Sequence, residues 1–183
     1  MVYLLYIRGT KIMNKTIQTI LTRVSCRSYS EKKVPASKIN QILEAGKYAP
    51  SGMNRQICNI LYIKNKKLLK SIREALQQKC GRECLYGAHH LALVIGKKND
   101  PFLFQDGSCI IENMFIAAAA LKVDSCWINQ LEDLCADPAY AKIRMKLGLA
   151  EDGYVVGSII LGYRKEGMNI PVKQRKEDLI KVI

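Results

Sequence analysis

The segment from Asp106 to Leu121, DGSCIIENMFIAAAAL, constrains the fold most strongly because apolar side chains surround it on nearly every side. A helix with that pattern belongs in the middle of a protein or in a subunit interface. The β-rich stretches LALVIGK and YVVGSIILGY precede and follow it along the chain and are typical of buried strands. The sequence therefore predicts an α+β or three-layer domain rather than an all-α bundle.

Apolar residues spaced at i, i+3, i+4 and i+7 predict further helices. We expect three of them, with the apolar positions Ile17, Ile20, Leu21 and Val24, then Ile39, Ile42, Leu43 and Gly46, then Leu68, Leu69, Ile72 and Leu76. The second should begin at Ser37 as its N-cap and end before Pro50. CNILYIK predicts a strand, SCWIN a short turn or strand, and DPAYAKIRMKLGL a helix with Pro138 near its first turn. Glu132 and Asp133 are typical of a solvated loop.

Composition limits the class of partner. With 183 residues the chain is long enough for one domain, and its 49% hydrophobic content argues against disorder. The formal charge of +13 favours anionic partners, either nucleic acid or phosphorylated small molecules. Aromatic residues make up only 7% and are not interleaved with the basic runs, so a nucleic-acid surface is disfavoured.

The N-terminal segment and the cysteines indicate the compartment. MVYLLYIRGTKIM has no small-residue cleavage site and too few apolar residues to span a bilayer. We therefore expect residues 1–12 to be an extension outside a single domain at 13–183, with no membrane association. Seven cysteines, an odd number, favour reduced thiols and a cytoplasmic location.

Several common kinds of site are missing from the sequence. No glycine-rich dinucleotide motif follows a strand, and no P-loop occurs. Cys80, Cys84, His89 and His90 match no common zinc spacing, so we predict no metal site. No signature of a cysteine nucleophile surrounds any thiol, and no carboxylate pair is typical of an acid–base couple.

Two polar stretches carry the functional prediction. In RVSCRSY, the residues Arg23, Ser25 and Arg27 alternate, so an extended backbone would direct two guanidinium groups and a hydroxyl to one side, where they could bind an anion. In APSGMNRQ, Pro50 ends a helix, Gly52 permits a positive φ, and Ser51, Asn54 and Gln56 offer neutral hydrogen-bonding groups. The second stretch alone is also typical of an ordinary polar loop.

Taken together, these stretches resemble the FMN-dependent nitroreductase family, of which this chain would be a short member. The family has Arg-x-Ser-x-Arg after its first helix and Ala-Pro-Ser-x-x-Asn-x-Gln at the end of the next. Four more segments resemble it in the same order: YGAHHLALVIG, the central helix followed by Ser-Cys-Trp, GYVVGSIILGYRKE and VKQRKEDLI. The resemblance covers about residues 14 to 181.

The resemblance implies a three-layer α/β/α domain with a central mixed, mainly antiparallel sheet, forming an intertwined homodimer with FMN at the interface. It implies that Arg23, Ser25, Lys173 and Arg175 bind the phosphate and ribityl chain, and that Arg27 lies near N1 and O2 of the flavin ring. Pro50, Ser51, Asn54 and Gln56 would meet the polar edge of the ring, and the backbone of Ser125, Cys126 and Trp127 its other side.

The activity implied is two-step reduction of a nitroaromatic, quinone or similar electron-poor acceptor by NADH or NADPH through FMN, without a side-chain base. The chain departs from the family at Lys122 and Asp124, where glycines are common, at His89, where proline is usual, and at Ile57 and Cys58, near a frequent aromatic residue. It is also short, so insertions that roof the substrate pocket are expected to be absent. A different flavoprotein reaction (dehalogenation or flavin cleavage), a flavin-binding sensor and a nucleic-acid binder remain alternatives.

Overall fold

The computed structural model describes residues 14–182, and the predicted extension at residues 1–12 lies outside the described residues. The helices are α1 (Lys15–Thr22), α2 (Ala36–Lys47), α3 (Lys66–Cys80), α4 (Leu103–Ala120), α5 (Gln130–Ala136) and α6 (Ala141–Lys146). The strands are β1 (Asn59–Tyr62), β2 (His90–Lys97), β3 (Asp124–Ile128) and β4 (Gly153–Gly162). Short 3-10 turns occupy Gly52–Asn54, Pro138–Tyr140 and Glu177–Leu179.

The four strands form one antiparallel sheet in the order β1-β2-β4-β3. β2 and β4 are its central pair, with a register shift between Val94 and Ile95. A single parallel bridge between Ser25 and Ser125 adds the segment after α1 to the β3 edge. The predicted mixed, mainly antiparallel sheet is therefore confirmed, and the first four residues of SCWIN, 125–128, lie in β3 rather than in a turn.

Helices cover both faces of this sheet, which confirms the three-layer prediction. Helices α3, α5 and α6 pack on one face, where the buried residues include Ile72, Leu76, Leu131, Ile143, Leu93 and Ile160. Helices α2 and α4 pack on the other face, where they include Ile39, Ile42, Ile111, Met114, Val94 and Ile159. Because successive side chains of a strand point to opposite faces, β2 and β4 contribute alternately to the two clusters.

The long helix α4 is buried along only one side in the single chain. Its buried residues include Ile111, Met114 and Ala118, whereas Gln105, Ser108 and Glu112 on the opposite side are exposed. Gly46 lets α2 approach closely, since a Cβ there would lie 2.9 Å from Cγ of Met114. The helix is therefore central as predicted, but one of its flanks faces outward. None of the helices between Asn14 and Val182 has both the length and the apolarity that crossing a lipid bilayer would require.

Three local predictions were wrong. α2 begins at Ala36 with Pro35 as its N-cap, so Ser37 is an internal helical residue. The predicted 137–149 helix is divided into a 3-10 turn, capped by the Asp137 side chain on Ala139 N–H, and the short helix α6. Glu132 and Asp133 lie in the first turn of α5 rather than in a loop, where their charges complement the helix dipole.

Lys122 lies two residues after the end of α4 and has an unusual backbone conformation for a lysine. Its φ of 56° is left-handed, a region that costs a residue with a Cβ roughly 1–2 kcal/mol. The amides of Lys122 and Val123 donate to the carbonyls of Ala119 and Ala118 at 3.0 and 2.8 Å, closing a Schellman cap. This cap explains why a glycine is the expected residue at this position.

We expect Lys122→Gly to stabilise the fold by about 0.5–1 kcal/mol, because relief of the left-handed strain exceeds the greater entropy of glycine in the unfolded chain. Urea midpoints measured at one protein concentration would show the gain. Lys70→Gly is the matched control, since Lys70 is an exposed residue inside α3 and should lose about 0.5–1 kcal/mol. A lower midpoint for Lys122→Gly would contradict the strain argument.

Candidate functional site

The segment after α1 is extended and is tied to the sheet edge. Arg23 ends the helix with extended φ and ψ, and the amide of Cys26 donates to the carbonyl of Ser125 at 2.9 Å. Cys26 is fully buried, whereas Ser25 is partly accessible and Arg27 is exposed. The residues on either side of Cys26 thus face away from the core, as the alternating pattern predicts.

A cleft of about 370 Å³ opens beside this segment. Its lining comprises Thr19, Thr22, Arg23, Val24, Ala119, Lys122, Val123, Asp124, Ser125 and Arg164. Three of these residues are cationic and one is anionic, so the cleft carries a net positive charge suited to an anion. The fold therefore brings the predicted residues Arg23 and Ser125 to one cleft, and Ser25, which is bridged to Ser125, lies beside its lining.

Asp124 and Arg164 form an ion pair in the wall of this cleft. The Arg164 Nε donates to Oδ1 of Asp124 at 2.9 Å, and Nη2 donates to the same oxygen. The backbone amide of Arg164 donates to Oδ2 at 2.9 Å. These bonds to the carboxylate raise the pKa of Arg164 further, so its guanidinium stays charged at any physiological pH.

Sequence reasoning did not include Arg164 among the site residues. Asp124 pairs with Gly162 in the β3–β4 register, and Arg164 lies two residues beyond Gly162. Two residues along an extended chain return to the same face, which brings the guanidinium to the carboxylate. Only the strand register connects these positions, which are forty residues apart.

Aromatic rings pack against Arg23, which together with Ser25 and Arg27 is called the Arg23 group. The guanidinium carbon of Arg23 lies 5.2 Å from the centre of the Phe115 ring, and Phe115 stacks with Trp127 at 6.3 Å between ring centres. Trp127 lies over Gly157, where a Cβ would come within 2.4 Å of the indole. The glycine therefore allows the tryptophan to lie flat on β4, close to the predicted backbone positions Ser125 and Cys126.

The buried thiol of Cys126 is close enough to Arg27 and Arg23 to be influenced by their charges. Burial raises the pKa of the Cys126 thiol, while the positive charge of Arg27, a bond to Ser25 and the charge of Arg23 oppose the rise. Cys126 thus remains a protonated, inaccessible thiol.

The Pro50–Gln56 loop, with the side chains of Ser51, Asn54 and Gln56, forms a second polar group, called the Asn54 group. Met53, Asn54 and Gln56 all have positive φ, near 50°, whereas Gly52 does not, which corrects the expected role of that glycine. A Cβ on Gly52 would meet the Phe102 ring at 2.8 Å, so glycine is needed there for close contact. Two hydrogen bonds hold the loop. The backbone amide of Gln56 donates to Oγ of Ser51 at 3.1 Å, and the side-chain Nε2 of Gln56 donates to Oδ1 of Asn54 at 3.2 Å.

Asp106 connects this loop to α4. Its Oδ1 accepts from the amide of Gly52 at 3.0 Å, and its Oδ2 is buried without a hydrogen-bond partner among the described residues. The side chains of Asn54 and Gln56 remain exposed, as does Pro50. Neutral donors and acceptors are therefore displayed at the N-terminal end of α4.

The two polar groups lie on different sides of α4. The loop contacts Asp106, and the Arg23 group contacts Phe115, nine residues further along the helix. Nine residues are two and a half turns, which put the two side chains on opposite flanks and about 14 Å apart along the axis. A single chain thus displays both groups but does not bring them together.

Lys173 and Arg175 are not brought to the cleft either. Both are exposed in the segment after β4, and neither lines the cleft within the described residues. Ile170, a few residues earlier, packs against the core cluster beneath α3.

The other titratable candidates form local structural contacts. His90 Nδ1 and the Tyr62 hydroxyl lie 2.6 Å apart, and burial lowers the pKa of His90. His89 Nε2 is 2.9 Å from a carboxylate oxygen of Glu31. Across residues 14–182, no cluster of three or more His, Cys, Asp or Glu side chains could hold a metal ion.

Comparison with known proteins identifies the family. The sequence profile described as "Nitroreductase family" matches residues 20–163. The crystal structure of a nitroreductase with bound FMN from Bacteroides fragilis NCTC 9343 has a TM-score of 0.87 and 34% identity, covering 93% of this chain and 100% of that one.

One further relative agrees with this assignment, and a second solved structure shares the fold. A protein of Archaeoglobus fulgidus, provisionally named NADH dehydrogenase/NAD(P)H nitroreductase, is 27% identical over 158 residues, which are 84% of this chain and 88% of that protein. An FMN-bound nitroreductase from Desulfitobacterium hafniense DCB-2 shares the fold, with a TM-score of 0.83 at 23% identity over 94% of this chain and all of that one. The chain therefore belongs to the nitroreductase family.

Proposed function

We propose that this protein is an FMN-dependent oxidoreductase that uses NADH or NADPH to reduce nitroaromatics, quinones or similar electron-poor acceptors by a ping-pong mechanism. The observation that carries the proposal is the cleft lined by Arg23 and Ser125, with Ser25 bridged to Ser125 beside it. Similarity to the FMN-bound Bacteroides fragilis structure over nearly the whole chain supports the choice of cofactor.

The residues of the cleft fit the phosphate and ribityl end of FMN. Arg23 and Lys122 supply positive charge in the cleft lining, and Ser25, bridged to Ser125 of that lining, offers a hydroxyl beside it. Charge-assisted hydrogen bonds from such groups are about twice as strong as neutral ones. We include Lys173 and Arg175 at this end, where the C-terminal segment would bring two more cations.

The residues around the Pro50–Gln56 loop and Arg27 fit the ring. Ser51, Asn54 and Gln56 offer neutral groups that can pair with fixed donors and acceptors without adding charge. Arg27 adds a positive charge, which favours gain of electrons by a nearby ring. Bound FMN would accept hydride at N5 from NAD(P)H and pass electrons to the acceptor.

The carboxylates near these groups all have structural partners, in keeping with a reaction that needs no side-chain base. Asp124 binds Arg164, Asp106 binds the Gly52 amide, and Glu132 accepts from the Tyr154 hydroxyl. That last contact, followed by burial, raises the pKa of Tyr154 to about 12, which keeps its hydroxyl protonated. In this proposal the protein's own residues bind and orient, and each of these three carboxylates serves a structural contact.

A homodimer would join the two polar groups. The side chains of Ile17, Ile20 and Leu21 on α1 are 51%, 47% and 55% exposed, and Phe104 in the first turn of α4 is 53% exposed. Burying such apolar surface against a second copy would be favourable. We propose that each flavin lies between the Arg23 group of one subunit and the Asn54 group of the other, and that the protein acts in the cytoplasm.

The purified protein should be yellow, with an FMN chromophore that NADH or NADPH bleaches under anaerobic conditions. Addition of a nitroaromatic or quinone should restore the oxidised spectrum, because the two half-reactions are separate in a ping-pong mechanism. Parallel lines in double-reciprocal plots would confirm that order. A colourless protein that binds no FMN and shifts DNA would contradict the proposal. Bleaching without turnover of these acceptors would favour a different flavoprotein reaction.

Arg175→Ala should weaken FMN binding by about one to two decades, since a charge-assisted bond contributes about 1.5–3 kcal/mol. Fluorescence titration of the apoprotein measures the dissociation constant. Lys176→Ala removes the same charge one residue away and should change it less than threefold. Equal dissociation constants for wild type and Arg175→Ala would exclude Arg175 from the site.

A mixed dimer tests the shared site. One subunit carries Arg23→Ala and the other Asn54→Ala, with separate affinity tags to purify the heterodimer. If each flavin site uses one group from each subunit, one site of the pair has both residues intact, and about half of the wild-type activity per dimer should return. Each mutant homodimer, which has both sites damaged, is the control. A folded heterodimer no more active than the two homodimers would contradict the shared site.

A further inference from the structure

The cleft holds a cation that neither family pattern nor sequence periodicity assigns to the site. Arg164 lines the cleft together with Arg23 and Lys122. Its side chain is 35% exposed, whereas that of its partner Asp124 is only 14% exposed. The guanidinium is thus the accessible member of the pair.

Arg164 retains donors that Asp124 does not use. A guanidinium carries five N–H groups in a fixed plane. Within residues 14–182, its side-chain hydrogen bonds run from Nε and Nη2 to Oδ1 of Asp124 alone. The N–H groups of Nη1 therefore remain for an anion in the cleft.

We propose that Arg164 is a phosphate-binding residue of the FMN site and that Asp124 is the residue that positions it. This inference rests on the proposed function, because it assigns the phosphate of FMN to the cleft. It also explains the aspartate at a position where the family commonly has glycine. A carboxylate alone would repel a phosphate. In the Asp124–Arg164 ion pair, however, the carboxylate fixes the orientation of the guanidinium that faces the cleft.

The local backbone supports a fixed position for Arg164. Its amide donates to Oδ2 of Asp124 at 2.9 Å, and the residue forms an antiparallel bridge with Tyr29. Side chain and backbone are therefore tied to the same carboxylate. A binding group that is already oriented loses less entropy when its ligand arrives, which increases affinity.

Comparison of FMN with riboflavin separates phosphate binding from ring binding. Arg164→Ala should weaken FMN binding about 10- to 100-fold and change riboflavin binding less than threefold, because riboflavin has the ring and ribityl chain without the phosphate. Lys165→Ala is the matched control: it removes the same charge from the next residue, which is exposed and outside the cleft lining. Titration of the apoproteins by flavin fluorescence gives all the dissociation constants. An equal loss for both flavins, or no loss for FMN, would overturn the assignment.

A double variant distinguishes direct binding from charge neutralisation. If Arg164 binds the phosphate, Arg164→Ala with Asp124→Asn should still bind FMN at least tenfold more weakly than wild type. Recovery of wild-type affinity would show that Arg164 only cancels the Asp124 charge, and would overturn the proposal. Arg164→Gln, which keeps a polar chain of similar length, serves if Arg164→Ala does not fold, and unchanged riboflavin affinity verifies the fold in each case. Failure of wild-type protein to bind either flavin would instead refute the proposed function.

Discussion

The antiparallel pairing of β3 with β4 is the interaction on which the candidate site depends. β4 is buried between two helical layers from Val155 to Leu161, so its register is set by packing on both faces. A slip of one residue would turn every side chain to the opposite face of the sheet. The observed register pairs Asp124 with Gly162 and Trp127 with Ile159, so that the indole ring lies over Gly157. It also places Ser125 beside the extended segment that begins at Arg23.

Helix α4 divides the polar residues into two groups and explains why a second subunit is expected. Its N-terminal turn anchors the Pro50–Gln56 loop through Asp106, while Phe115 supports Arg23 and Trp127 on the opposite flank. A straight helix cannot bring opposite flanks together within one chain. A twofold interface can, because it presents the same surface of both copies to each other. The exposed apolar residues of α1 are consistent with such an interface.

The distribution of charge matters more for this site than the total. A net charge of +13 favours anions anywhere on the surface, and many of the lysines lie on exposed helical faces such as that of α3. In the cleft, three cations surround one carboxylate, and that carboxylate holds Arg164 in a defined orientation. A fixed guanidinium discriminates between anions by geometry, whereas a mobile surface lysine acts as a point charge. The ion pair thus converts a general electrostatic attraction into a directional one.

Hydrophobic periodicity in the sequence predicted most of the helices and strands of the three layers and part of the candidate site. The long helices and the strands follow from periodicity, because burial of one face repeats every 3.6 or every two residues. The one-sided display around Cys26 follows from the same alternation. Helix α5 was missed since its seven residues are too few to establish a period. The conformation of the Pro50–Gln56 loop was also missed, as its left-handed residues are not glycines.

Only the tertiary structure decided which residues contact one another at the candidate site. Asp124 meets Arg164 across forty residues, and Asp106 meets Gly52 across fifty-four. Contacts at such separations depend on strand register and helix placement, which leave no repeating trace in the neighbouring sequence. The resemblance to nitroreductases named the residues Arg23 and Asn54, but only the packing around α4 showed that they lie on opposite flanks. The sequence thus determined which chemical groups are available, and the fold determined which of them share a site, because distance in space is set by long-range packing.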